Sequence, residues 1–148
     1  MTDIRFYQLL ATPLEAALPK LLEKALERGM RAAVAAGTAD RSQALDAALW
    51  TYAADSFLPH GRAPESAADQ PIWIAPGIEN PNGAVLLVIL DGQIPARFED
   101  WERVCDMFDG SDETALEAAR ARWKTLKAAG HALSYWRQTP AGGWEKAA

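Results

Sequence analysis

Apolar residues recur along this chain with strand-like and helix-like spacing in turn, and the alternation lays out the fold. Ile4 to Leu9 (IRFYQL) alternates and is rich in aromatic residues, which predicts a first strand. Thr12-Pro13-Leu14-Glu15 signals a helix start: Thr12 as N-cap, Pro13 at the first helical position, Glu15 three residues after the cap. Leu14, Leu18, Leu21, Leu22, Ala25 and Leu26 give that helix one apolar face as far as Arg28, and Gly29 ends it. Pro19 lies inside the pattern and lacks a backbone donor, so a kink or a late start is expected there. Met30 to Ala36 is a short apolar run, the mark of a strand buried on both faces. Asp40 with Gln43 forms a capping-box pair, opening a helix that reaches about Thr51.

A long segment from Tyr52 to Gln70 follows, with Pro59, Gly61 and Pro64 and a polar tip. Loops of this length are usually functional or mobile. Pro71 to Ala75 reads as a third strand and Glu79 to Gly83 as a turn built on Asn-Gly. Ala84 to Leu90 (AVLLVIL) is the most strand-like stretch, and its unbroken apolar character predicts a central place in a parallel sheet. Phe98 to Trp101 suggests a helical turn, and Arg103 to Phe108 another strand. Ser111 is the expected cap of a helix running to about Ala129, with Asp112 and Glu113 suiting its positive end. His131 to Trp136 makes a last strand. The expected organisation is one α/β domain over residues 1–138, a largely parallel central sheet with helices on both faces, then a partly ordered tail over 139–148.

Composition narrows the function. The chain has 148 residues, enough for a single core, and its net charge of −5 argues against a protein that coats nucleic acid. The charge is uneven. Residues 1–110 carry nine Lys/Arg against sixteen Asp/Glu, whereas Thr114 to Arg137 carry five against one. One C-terminal patch is therefore suited to an acidic ligand. Cys105 is the single cysteine and reads as a buried, inert thiol. No apolar run approaches a bilayer span and no leader pattern opens the chain, so the expected location is the cytoplasm.

The Rossmann-like order invites a nucleotide, but the first turn, Leu9-Leu10-Ala11-Thr12-Pro13, has no glycine to admit a pyrophosphate, and no Walker-type loop occurs. No cofactor is expected. His60, with Asp55 and Ser56, is the one candidate for acid–base work. A working triad needs groups brought from separate elements, so a loop-fixing histidine is the plainer reading. The acids from Asp106 to Glu113 lack the spacing of a calcium loop, and helix capping accounts for them. On the C-terminal helix, Arg120, Lys124 and Lys127 stand at i, i+4 and i+7 and share an arc of about 60°. Trp123 flanks the arc on the side of the apolar stripe of Leu116, Ala119 and Leu126. A solvated basic face near a helix C-terminus explains this. So does a cationic rail beside an aromatic wall, suited to a peptide with an acidic-hydrophobic tail and a free carboxylate.

Four segments carry a family resemblance: Arg5-Phe6-Tyr7, Leu45 to Trp50 (LDAALW), Ser56 to His60 (SFLPH), and Arg120 to Lys124 (RARWK) followed by Ala129-Gly130. With these the chain resembles the chi subunit of bacterial DNA polymerase III holoenzyme, a clamp-loader accessory subunit. The resemblance implies a non-catalytic adaptor. One surface would bind the acidic C-terminal tail of single-stranded DNA-binding protein, and another the psi subunit or another clamp-loader subunit. It further implies tail contacts from Arg120, Lys124 and Trp123, with Trp50 and Phe57 as aromatic positions around the surface. A basic family position one turn before Arg120 is here Leu116, for which Lys127 is the expected substitute. Direct nucleic-acid binding is expected to be weak. The alternative from another class is a small hydrolase or nucleotide-handling enzyme using His60 and Asp55. A further possibility is a clamp-loader scaffold that has lost the tail site.

Overall fold

The computed structural model describes residues 2–50, 60–61, 64–90 and 92–148; for Trp50, His60, Gly61 and residues 64–66 only the backbone is described. One eight-stranded sheet organises them. The strands are β1 (Asp3–Leu9), β2 (Ala32–Ala35), β3 (His60–Gly61), β4 (Ile72–Ala75), β5 (Leu86–Ile89), β6 (Arg103–Asp109), β7 (Ala132–Gln138) and β8 (Trp144–Lys146). Their order across the sheet is β3-β4-β2-β5-β6-β1-β7-β8. Every pairing is parallel except β7 with β8. The fold is α/β, as the alternation of strands and helices predicts. The runs Ala32–Ala35 and Leu86–Ile89 are buried at every position because β2 and β5 are interior strands with both faces covered.

Helices α1 (Leu14–Glu27) and α2 (Ala39–Trp50) cover one face, and α3 (Glu113–Ala128) covers the other. Strand alternation divides the core accordingly. Tyr7, Val34, Val88, Cys105 and Met107 pack with Leu18, Leu22, Leu45 and Leu49 under α1 and α2. Phe6, Ala35, Ile89, Val104 and Phe108 pack with Ala119 of α3 and with Phe98 and Trp101 around a 3-10 turn, Phe98–Asp100. No helix among the described residues is long and apolar enough to cross a membrane.

The ends of the helices differ from the sequence expectation in instructive ways. Thr12 does not cap α1: the boundary residue is Pro13, without a side-chain cap, and the Thr12 hydroxyl accepts from Gln138 instead. The helix continues through the buried Pro19 as one element. Thr38, not Asp40, caps α2, its hydroxyl accepting from the Arg41 N–H at 3.1 Å. Asp112, not Ser111, caps α3, accepting from Thr114 and Ala115, because Ser111 is already bonded to the Asp109 carboxylate. At the C-terminus of α3, Gly130 (φ 86°) takes the left-handed conformation, which costs a glycine nothing. The His131 N–H then reaches back to the Leu126 carbonyl and Gly130 to Lys127, a Schellman closure.

Residues 139–148, expected as a partly ordered tail, carry β8. The chain turns at Thr139–Gly143, with the Thr139 N–H on the Gly143 carbonyl at 2.8 Å, and Trp144 packs edge-on against Tyr7. A single large indole fixes a strand too short to show alternation.

Candidate functional site

The basic residues of α3 divide by the face of the helix on which they stand. Ala119 is fully buried, and Leu116, Trp123 and Leu126 are half-buried against the sheet. Arg120, Lys124 and Lys127 lie on the outer side and are exposed. Among the described residues none of the three forms an ion pair. Arg122 belongs to the opposite flank. Its guanidinium holds Asp106 of β6 with two hydrogen bonds, Nε to Oδ2 at 2.7 Å and a second nitrogen to Oδ1 at 2.9 Å. Both side chains are largely buried; burial pushes the Asp106 carboxyl above its ordinary value, and the Arg122 bonds oppose that. The RARWK run therefore supplies one structural arginine, and two exposed cations that form no ion pair among the described residues.

Trp123 is an anchor of this flank as well as its wall. Its ring meets Phe6 edge-on at 5.5 Å and Tyr135 edge-on at 5.7 Å. Tyr135 in turn stacks with Phe6 and donates its hydroxyl to the Gln8 side-chain oxygen at 2.7 Å. Burial raises the Tyr135 pKa, and the charges of Arg120 and Arg137 work against that rise. Arg137 was not singled out in the sequence. Its signal was there: it stands two residues after Tyr135 on a strand, hence on the same face. The surface is then a row of exposed cations on α3, a half-buried Trp123–Tyr135 pair, and Arg137 on β7. Leu116, where a cation is expected, packs against the core of this face.

Other expected site residues fall elsewhere. Trp50 ends α2, which lies on the face of the sheet opposite α3, so its helix is not brought to the cationic row. Phe57, Asp55 and Ser56 lie outside the described residues, as does the side chain of His60. The acids of the Asp106–Glu113 run are divided among tasks: Asp106 to Arg122, Asp109 to Ser111, Asp112 to the α3 cap. Among the described residues no group of three or more His, Cys, Asp or Glu is placed to hold a metal ion. Cys105 is buried as expected, and burial pushes its thiol up to about 12.

The crevice where doubly wound folds take ligands is present, but its turn donors are already bonded within the chain. β1 and β6 are neighbours whose following helices lie on opposite faces, which makes their C-terminal ends a switch point. A polar cavity of about 390 Å³ opens there, lined in part by Ala11, Thr12 and Asp109. The β1–α1 turn, however, already spends its N–H groups: Leu10, Ala11 and Thr12 all donate to the Gln138 side-chain oxygen, at 3.0, 2.8 and 3.1 Å. Gln138 is 3% exposed, and its amide nitrogen donates to the Thr12 hydroxyl at 2.7 Å. A neutral carbonyl from β7 thus sits where a phosphate oxygen would be cradled.

Comparison with known proteins identifies the family. Residues 1–134 match the family model described as DNA polymerase III chi subunit, HolC. The DNA polymerase III subunit chi of Pseudomonas aeruginosa (strain PAO1) is 30% identical over 138 residues, covering 90% of this chain and 94% of that protein. The probable DNA polymerase III subunit chi of Rickettsia prowazekii (strain Madrid E) is 25% identical over 143 residues, covering 89% and 84%.

Proposed function

The chain belongs to the DNA polymerase III chi subunit family, an accessory subunit of DNA replication, and from that premise we propose that it is a non-catalytic adaptor. Its partner on the α3 flank is the acidic C-terminal tail of single-stranded DNA-binding protein. Arg120, Lys124, Lys127 and Arg137 meet the acids and the terminal carboxylate, and the Trp123–Tyr135 pair meets the apolar tip. The observation that carries this reading is the row of exposed cations that, among the described residues, form no ion pair, beside half-buried aromatics, on a molecule of net charge −5. Charge in excess of what the fold uses is charge available to a ligand. Because α2 lies across the sheet from α3, we assign the α2 side of the molecule to psi or another clamp-loader subunit. A role at the replication complex supports a cytoplasmic location.

The test is fluorescence anisotropy of a labelled peptide copying the last residues of the cognate single-stranded DNA-binding protein, at low and moderate salt, beside a control lacking the terminal Phe. The expected result is saturable, salt-weakened binding to the first peptide alone. Arg120→Glu and Lys124→Glu should each weaken it about fivefold to tenfold, the range for exposed charge-assisted contacts of about 1 kcal/mol. Unchanged affinity in both variants overturns the assignment.

A further inference from the structure

A groove of about 740 Å³ opens on the face of the sheet away from α3, between α1 and the turn that joins β7 to β8. Five cations line it: Lys20, Lys24 and Arg28 from α1, Arg5 from β1 and Arg103 from β6. The acids in the lining are Glu23 and Glu27, so the groove is positive in a chain that is negative overall. Lys20, Lys24 and Arg28 stand at i, i+4 and i+8 along one side of α1, Arg28 at its C-cap. All three are exposed, and among the described residues none forms an ion pair.

The inner wall has the same excess. Arg5 and Arg103 converge on one carboxylate: Asp3 Oδ2 lies 2.9 Å from Arg5 Nε and 3.3 Å from Arg103 Nε. One acid therefore serves two guanidinium groups, and the buried Arg103 Nε makes no hydrogen bond. Apolar surface lies alongside. Trp136 and Trp144 are half-buried, with Tyr7 against both rings, and Leu86 and Cys105 reach the floor.

We propose that this groove binds a short acidic segment of a partner protein, its carboxylates on the α1 row and the paired arginines, and one apolar side chain against Trp144. This is separate from the tail site, which lies on the other face of the sheet. Charge complementarity selects an anion, and two features select a peptide over single-stranded nucleic acid. Stacked bases need a free aromatic face, whereas the Arg5 guanidinium already stands over Trp136 at 5.9 Å and Trp144 meets Tyr7 edge-on. A long polyphosphate would also feel the repulsion of the whole acidic molecule, which a short peptide largely escapes.

The experiment uses the full chain and a labelled peptide of Asp and Glu with one central Phe, amidated at its C-terminus so that no free carboxylate is offered. Anisotropy gives affinity, and nitrogen-15 correlation spectra of the unmutated protein report the indole N–H of Trp136 and Trp144. The expected result is saturable binding that shifts both indole signals. Lys24→Glu with Arg28→Glu, exposed changes checked by an unaltered melting temperature, should weaken it about tenfold, while Arg120→Glu with Lys124→Glu should leave it unchanged. The proposal is overturned by no binding at low salt, or by loss confined to the α3 variant. It is equally overturned if a short oligothymidylate displaces the peptide and shifts the same indoles, which would make the groove a nucleic-acid site.

Discussion

Replacing Gln138 with leucine removes the acceptor on which three consecutive backbone N–H groups converge. The size of the effect follows from their surroundings. Each bond contributes about 1 kcal/mol net, and a buried donor left unpaired costs about 1–3 kcal/mol. Leu10 and Ala11 are exposed side chains on a surface turn, so water reaches part of what is lost and the lower figure applies. The sum is then about 3 kcal/mol, a large share of the 5–15 kcal/mol typical of a domain. In a chain of this length it corresponds to a fall of roughly 6–12 °C in melting temperature. Gln138→Glu is the discriminating partner variant. A carboxylate keeps an acceptor for all three N–H groups, and the Thr12 hydroxyl can turn to donate, so about 1 kcal/mol or less should be lost at neutral pH. Urea denaturation by circular dichroism measures both. Equal stability of the leucine variant and the parent would show that the turn is satisfied by solvent, and the view of Gln138 as the group occupying the turn donors would fall.

Three further outcomes follow from other parts of the fold. Arg122→Met leaves the Asp106 carboxylate buried without its partner and should cost about 3–5 kcal/mol, while adding Asp106→Leu should recover most of it; failure of the second change to restore the urea midpoint would refute the pairing as the cause. Tyr7 and Cys105 hold their protons up to about 12 in the folded protein, against ordinary values of 10.0 and 9.0. The unfolded chain therefore releases them first, so stability is level below about pH 9 and declines from there toward pH 12, and a urea midpoint that rises across that window would contradict the burial of both groups. Arg137→Glu should weaken the tail peptide about as much as Arg120→Glu, by about fivefold, and an anisotropy titration showing no change would confine the site to α3.

The central sheet was legible because burial on both faces writes itself as unbroken apolar runs, as in Ala84 to Leu90, and because glycines stand just past the last turns of α1 and α3. The helix starts were legible only to within a residue or two. Several side chains able to cap stand side by side, and which one does so depends on what else competes for them. Ser111 is taken by Asp109, and Thr12 by Gln138, a residue over a hundred positions away. The row of Arg120, Lys124 and Lys127 could be read from spacing alone, since helical geometry is local. That Arg122 is spent on Asp106, that Trp123 leans on Phe6 and Tyr135, and that α2 lies across the sheet from α3 are consequences of topology, which one sequence does not reveal. The β8 strand escaped for a different reason: three residues carry no period.

The same logic bears on the adaptor role we propose for a fold with a ligand crevice. A doubly wound sheet places its switch point at the ends of β1 and β6, and there a small anion would meet the turn N–H groups. In this chain those donors are bonded to a side chain of the molecule itself. With the turn donors of the crevice occupied, the binding we propose draws on the helix-covered faces. Those faces suit extended, charged peptides better than compact ligands, because helix rows such as Arg120–Lys124–Lys127 repeat at the spacing of a turn. Two such rows on opposite faces of one sheet do not compete for space, which is the geometric requirement of the two-partner role we propose.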